Sequence, residues 1–352
     1  MPISSQVEGS PVLRFLVGAA AVGVLLIVFK TLSPVLVPFL QAAFVAIIAA
    51  RPVSYLHRHR VPLLAAVGIV FLGLVVTFWL LGIFLSASVR EIGRELPAYE
   101  DRIRAGMSAV VAELTRLGVN LPERDIEETF DPGAVLRFFA RSLQQLGGGI
   151  VKTIFVSIIV LFALLEGPKL SERLKASRMG GENHMEGFAR FAGVLNRYLL
   201  IKTWLSLGTG IAMWLVLWLI GVDFPALWGL LAFLLNYIPN LGSLVAAIPA
   251  VLIAFLKLGV ASGLVAVIAY LAVNIFFSNI LEPRLMGISL GLSPVLILFS
   301  IVLWGWTFGL TGVFLAVPLT MTVKLILESR EDTRHVAALL GSHVEVQPGV
   351  KT

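Results

Sequence analysis

The sequence predicts an all-α integral membrane protein with about eight membrane-inserted segments. Two of these read as broken or re-entrant helical hairpins in an inverted repeat, and a helical extracytoplasmic insertion is added to them. Three observations predict this class. Only 14% of the 352 residues are charged while 58% are hydrophobic, against about a quarter charged in an average soluble domain. Long uncharged runs recur: 29 residues from Val61 to Val89, 20 from Thr203 to Val222, 33 from Phe224 to Leu256, 24 from Leu258 to Leu281 and 39 from Leu285 to Val323. A spanning helix needs roughly 20. Finally, prolines, glycines and asparagines punctuate two of those runs at matched positions.

The first two spans are Val12–Phe29 and Pro34–Ala50, joined by a tight turn from Lys30 to Ser33. Phe29-Lys30-Thr31-Leu32 is a poor cleavage site, so Val12–Phe29 reads as a span and not as a leader. RPVSYLHRHR, with Arg51, Arg58 and Arg60, is the most basic short loop between spans. Basic loops face the cytoplasm, so this loop and both termini are expected inside. The net charge of +6 and pI near 9.8 then follow from topology, and no nucleic-acid partner is implied.

The third span, within Val61–Val89, leads outward to the one long polar stretch. Arg90–Arg141 holds 8 Arg against 10 Asp plus Glu, a balance of −2, which suits the outside. Ile92, Leu96, Tyr99, Ile103, Met107, Val110, Leu114 and Leu117 step by three and four, the spacing of an amphipathic or coiled-coil helix. Such a stripe lies on its own domain or joins copies in a homo-oligomer, and both readings stand. Pro122, Asp131-Pro132-Gly133 and Gly147–Gly149 turn the chain back. The fourth span, Ile150–Leu165, returns inside. Glu166–Lys202 carries 7 Lys plus Arg against 4 Asp plus Glu. Broken at Gly180-Gly181 and apolar at Met185, Phe188, Phe191, Leu195 and Tyr198, it reads as a cytoplasmic interfacial helix. The fifth span is Thr203–Ile220.

The uncharged run after Asp223 contains LLNYIPNLG, Leu234 to Gly242. At an offset of 69 residues Pro225 meets Pro294, Pro249 meets Pro318, and Asn240-Leu241-Gly242-Ser243 meets Gly309-Leu310-Thr311-Gly312. A 33-residue run is too long for one crossing and too short for two with a turn. It reads as a re-entrant hairpin with polar breakers at its tip. Ser293–Lys324 is its longer counterpart. Pro249, Gly305, Gly309, Gly312 and Pro318 are the expected hairpin breakers. Each hairpin follows one crossing helix, Thr203–Ile220 or Gly263–Leu281, so the two units take opposite orientations. That is the plan of secondary transporters, whose sites lie at paired discontinuous helices.

The expected organisation is therefore a three-span region at 1–89, an extracytoplasmic helical segment at 90–146, and the fourth span with its interfacial helix at 147–202. A transport core at 203–328 and a cytoplasmic tail at 329–352 complete it. The candidate path residues are Asn236, Pro239, Asn240, Gly242, Asn274, Asn279, Glu282 and Arg284. Asn236 and Asn240 cap the broken helix ends or line a polar site, since a buried amide without a partner is costly. Glu282-Pro283-Arg284 is an interfacial helix stop or a polar element at the mouth of the path. A spacing of three sets Asn279 beside Glu282. Trp304 and Trp306, with Gly305 and Gly309 as a GxxxG, read as close helix packing.

Several chemistries are set aside. Gly287-Ile288-Ser289-Leu290-Gly291 matches GxSxG, yet the five histidines (57, 59, 184, 335 and 343) all fall in polar segments, so no base stands beside the serine. No catalytic residue, metal site or cofactor is expected. The chain has no cysteine and no GxxxxGK[ST] phosphate loop. No Asp or Glu occupies the centre of a predicted span, which counts against proton coupling.

NILEPRLMGISLGLSP (Asn279–Pro294) with LWGWTFGLTGVFLAVPL (Leu303–Leu319) resembles the signature of the autoinducer-2 exporter family. NYIPNLGSLVAAIP (Asn236–Pro249) is similar to that family's other motif. The resemblance spans essentially the whole chain. It implies a homo-oligomeric transporter of a bacterial or archaeal inner membrane. Members have been associated with export of the quorum-sensing signal autoinducer-2 or with sodium/proton antiport. The expected partners are the lipid bilayer and a small polar solute or cation. The expected function is export of such a solute, with cation/proton exchange as the alternative. A membrane scaffold acting through Arg90–Arg141 is the rival from outside transport.

Overall fold

The computed structural model of the chain describes residues 11–116, 150–176, 182–239, 242–286 and 292–328, together with Thr333. Among them all regular structure is helical: α1 (Pro11–Thr31), α2 (Ser33–Arg58), α3 (Leu63–Arg116), α4 (Ile150–Ala176), α5 (Glu182–Ile220), α6 (Pro225–Leu235), α7 (Gly242–Leu258) and α8 (Val260–Asn274). A π-helical segment (Ile275–Leu281) leads to α9 (Glu282–Met286), followed by α10 (Pro294–Phe308), α11 (Leu310–Phe314) and α12 (Ala316–Glu328). Four of these stretches are long and apolar enough to cross a membrane: Ser33–Arg58, Leu63–Tyr99, Gly193–Ile220 and Val260–Leu285. Shorter apolar helices include Thr153–Gly167, Pro225–Leu235 and Gly242–Leu258. Large apolar side chains such as Leu64, Trp79, Trp218 and Val302 lie on the outside, the surface that lipid tails accept.

Three helices run further than charge patterning indicated. RPVSYLHRHR is not a loop: α2 continues to Arg58, and only the turn at His59 and Arg60 ends it. His57 and Arg58 in the last turn suit the negative end of the helix dipole, so basic residues close this helix and do not break it. Likewise α3 runs unbroken for 54 residues through Arg90, with Pro97 inside it. The expected interfacial helix and fifth span are one 39-residue helix, α5. Charge marks where water begins; an α-helix crosses that boundary without a change of backbone. Gly180-Gly181, Pro122, the Asp131–Gly133 turn and Gly147–Gly149 lie outside the described residues, as do Asn240 and the GxSxG run.

The chain forms two compact units, one of Met1–Val45 with Leu290–Thr352 and one of Ala46–Ser289. The boundaries fall inside α2 and between the two expected hairpins.

In the larger unit, α5 packs along α6 and α8, while α6 and α7 lie against each other. Two glycines allow the closest approach. A Cβ on Gly210 would stand 2.8 Å from the Gly229 carbonyl oxygen, and one on Gly229 would stand 2.7 Å from that of Gly210. Small residues admit such backbone proximity in lipid, where packing and not the hydrophobic effect joins helices. The core gathers Met213, Leu217, Leu227, Trp228 and Ile253 with Ile92 and Tyr99. The first turns of the Ile92–Leu117 stripe therefore lie on the protein's own core.

In the smaller unit α1 packs on α10, with Phe29 and Phe308 ring centroids 6.3 Å apart. Lys30 Nζ sits 3.8 Å over the Trp306 ring. The buried Trp304 Nε1 donates to Thr320 Oγ1 at 2.9 Å, and Thr320 donates to Ser300 Oγ at 2.7 Å.

Candidate functional site

The break in LLNYIPNLG is a sharp turn between α6 and α7. The Tyr237 and Ile238 amides reach back only three residues, to Leu234 and Leu235, and Pro239 has no amide to give. Gly242 reopens the helix at a place where nothing larger fits: a Cβ there would stand 1.7 Å from the Leu235 carbonyl oxygen. The turn side chains reach α5. Asn236 Nδ2 donates to Ser206 Oγ at 3.0 Å, both buried. The Tyr237 hydroxyl donates to Thr203 Oγ1 at 2.8 Å, and Thr203 donates to the Leu199 carbonyl at 2.7 Å.

Ser206 belongs to a polar stripe on α5. Tyr198, Lys202, Ser206 and Thr209 follow at steps of four, four and three, so they share one face, and all four are buried. Lys202 is only 2% exposed, and its ammonium lies 2.9 Å from each carboxylate oxygen of Glu282. Glu282 retains 20% of its side-chain exposure. A buried ammonium needs a close counter-charge, and Glu282 supplies it.

The π-helical segment directs Glu282 to this point. Its backbone amide donates to Phe277 O, five residues back. Insertion of such wide turns is frequent at functional sites. A Cβ on Gly208 would come within 2.5 Å of the Phe277 ring, so α5 grips the widened turn closely. Bonding to i+5 also rephases the helix. Asn279 is exposed while Glu282 is half-buried. Asn274 is half-buried and Arg284 exposed; neither hydrogen-bonds to Glu282 among the described residues. The structure thus joins Asn236 and Glu282 to α5, sets Pro239 and Gly242 in the same turn, and leaves Asn274, Asn279 and Arg284 apart from that network.

Of the expected breakers, Gly309 does break the chain: with φ at 63° it separates α10 from α11, a conformation natural to glycine. Gly312 is the second tight point, since its Cβ would stand 1.8 Å from the Trp304 carbonyl oxygen. Pro249 and Gly305 break nothing. Pro249 lies inside α7 and Gly305 inside α10. Membrane helices tolerate such a proline because neighbours re-satisfy the freed carbonyl. Pro318 sits in the first turn of α12, where a missing amide costs least. The GxxxG reading holds for one glycine only: a Cβ on Gly305 would meet Val313 at 2.8 Å, whereas Gly309 has open space beside it.

Sequence reasoning places Tyr198 on the apolar face of the interfacial segment and singles out none of Lys202, Ser206 and Thr209 as a polar stripe. Their signal was available, since polar residues at steps of four, four and three repeat the argument that located the Ile92 stripe. Lys202 was read instead as the last charge of a cytoplasmic segment.

Residues 17–331 match the model of the AI-2E family transporters. The chain belongs to the AI-2E family. It is similar to the AI-2 transport protein TqsA of Escherichia coli (strain K12), 36% identical over 308 residues that cover 88% of this chain and 90% of that one. A Haemophilus influenzae protein is 34% identical over 337 residues, 93% and 96% of the two chains. YhhT of Escherichia coli (strain K12) is 30% identical over 329 residues, 94% of each. The protein is an AI-2E family membrane transporter, and the α5 stripe with its two partners is a polar set inside apolar helices.

Proposed function

We propose that this chain exports a small polar solute of the autoinducer-2 type, along the α5 stripe and the α6–α7 turn. One observation carries the reading: Asn236, Tyr237, Thr203, Ser206, Lys202 and Glu282 converge inside otherwise apolar helices. The name of the Escherichia coli relative, AI-2 transport protein, supplies the solute type. In this proposal α6–α7 and α10–α12 are re-entrant hairpins of an inverted repeat in an inner-membrane homo-oligomer, with both termini cytoplasmic. Pro225 and Pro294 each opening a helix, and Gly242 and Gly312 each abutting a carbonyl, favour the repeat. Pro239, Asn240, Asn274, Asn279 and Arg284 remain path candidates within it.

Everted membrane vesicles test the proposal. Labelled autoinducer-2 is expected to accumulate in vesicles holding the protein and not in vesicles holding a Glu282→Ala variant. Equal accumulation in both would remove this site from the transport path. The second reading, cation/proton exchange, is favoured by the Lys202–Glu282 pair, because ionisable groups inside spans commonly carry protons. It predicts dissipation of a preset pH gradient on adding sodium to the same vesicles. Neither activity in folded protein would leave the scaffold reading.

A further inference from the structure

The Lys202–Glu282 pair is incompletely satisfied. Lysine carries three N–H donors; two face the Glu282 oxygens, and the third has no partner among the described residues. Among the described residues Glu282 accepts from Lys202 alone, so acceptor positions remain on both oxygens. One turn before Lys202 stands Tyr198, 5% exposed. Its hydroxyl hydrogen-bonds to nothing among the described residues, although it lies within electrostatic range of Glu282 and Tyr237. Buried hydroxyls almost always have partners. Tyr237, Thr203, Asn236 and Ser206, by contrast, bond to one another directly.

We propose that Tyr198, Lys202 and Glu282 form a binding site for a neutral, hydroxyl-rich small solute. The inference rests on the transport reading above and names the solute class for that same site. Charge decides the class. A bare cation beside Glu282 would meet the Lys202 ammonium, and an anion beside Lys202 would meet the Glu282 carboxylate. The pair sums to zero. What remains open is two donors, on Lys202 and Tyr198, next to an acceptor, on Glu282. A hydroxyl both accepts and donates, so two neighbouring hydroxyls of one solute answer all three groups. The partial exposure of Glu282 gives the solute its approach, whereas Lys202 and Tyr198 form the closed floor.

The test uses the full chain in lipid nanodiscs, titrated with ribitol, ribose and erythritol while the melting temperature is followed. Ribonate and sodium chloride serve as the charged probes. Saturable stabilisation by at least one neutral probe is expected, and none by ribonate or sodium. Tyr198→Phe is expected to require about tenfold more of that probe, the loss of one hydrogen bond, with an unliganded melting temperature no lower than wild type. An identical response in Tyr198→Phe overturns the site, as does saturable stabilisation by ribonate or sodium alone. A linear, unsaturated rise equal in both proteins is osmolyte exclusion and also overturns it. Vesicle accumulation of autoinducer-2 is read separately. Normal accumulation by Tyr198→Phe sinks the site and leaves transport standing. Tyr198-dependent binding in a protein that accumulates nothing sinks the transport reading and leaves the site.

Discussion

Helix α5 ends in one charged cluster and carries another 18 residues before its last residue, Ile220, roughly 27 Å along its axis. The two clusters use similar residues to different ends. Beyond Ile220, Asp223 pairs with Lys257, which is 37% exposed, and accepts from the Tyr99 hydroxyl at 2.6 Å. Its carbonyl accepts from Trp228 Nε1 at 2.8 Å, while Tyr99 also lies 2.9 Å from Glu95. Asp223 there fastens α3 and α7 through its carboxylate and α6 through its carbonyl, close to water, and each named side chain has a partner. At the other end, Lys202 is buried, and among the described residues it holds one partner, Glu282, and stands next to a tyrosine whose hydroxyl holds none. The first cluster holds helices together; the second, in the proposal above, is where a solute would bind.

The comparison breaks most visibly at Glu282. Glu282→Ala leaves the Lys202 ammonium buried without a counter-charge, which costs about 3–5 kcal/mol. A large fall in melting temperature and complete loss of transport are expected. Lys202→Met with Glu282→Leu removes both charges and is expected to recover most of that stability but no transport. If the double variant transports, the pair is a structural relic and the contrast with Asp223 disappears.

Asp223→Asn is the matching change at the other end. Lys257 there is partly solvated, so the ion pair itself contributes little. The principal loss is the charge-assisted bond from Tyr99, about 1–2 kcal/mol. Transport per folded molecule is expected within twofold of wild type, measured in vesicles with protein content scored by fluorescence. A transport defect larger than the stability defect would make the Asp223 cluster part of the path.

Asn236→Leu sharpens the same contrast inside the functional cluster. It removes the bond to Ser206 Oγ, which contributes about 1 kcal/mol. Transport per folded molecule is expected to fall about tenfold, because the turn then presents apolar surface to a polar solute. Loss of stability with full transport would reduce Asn236 to a helix cap.

Four of the spans and the α6–α7 turn are legible in the sequence because their causes are local. Leucine and isoleucine partition into lipid wherever they stand, and Pro239 and Gly242 act on their own backbone. Lys202 was illegible because its partner lies 80 residues away, and a lysine bordering an apolar run looks like any topological charge. Nothing in IFFSNIL announces the π-helical turn that leads to Glu282. Charge closes the second span at Ala50 and separates the Val61–Val89 span from the Ile92 stripe, whereas α2 and α3 continue through both points, because charge reports the water boundary and says little about where a helix stops.

The smallest expected effect comes from one substitution made at each end. Tyr99→Phe removes a hydroxyl that bonds to Asp223 and Glu95, so about 1 kcal/mol of stability should go. Asp223 then depends on half-exposed Lys257 alone, and added salt should lower the melting temperature further by screening that pair. Tyr198→Phe removes a hydroxyl with no partner among the described residues. A buried hydroxyl without a partner is itself unfavourable, so its removal should leave stability unchanged or raise it by a few tenths of a kcal/mol. Salt should have no added effect there. Paired melting curves in detergent at low and high sodium chloride measure all four values. A loss at Tyr198 as large as that at Tyr99 would mean that the Tyr198 hydroxyl is bonded in the folded protein, and the two ends of α5 would then differ in depth alone.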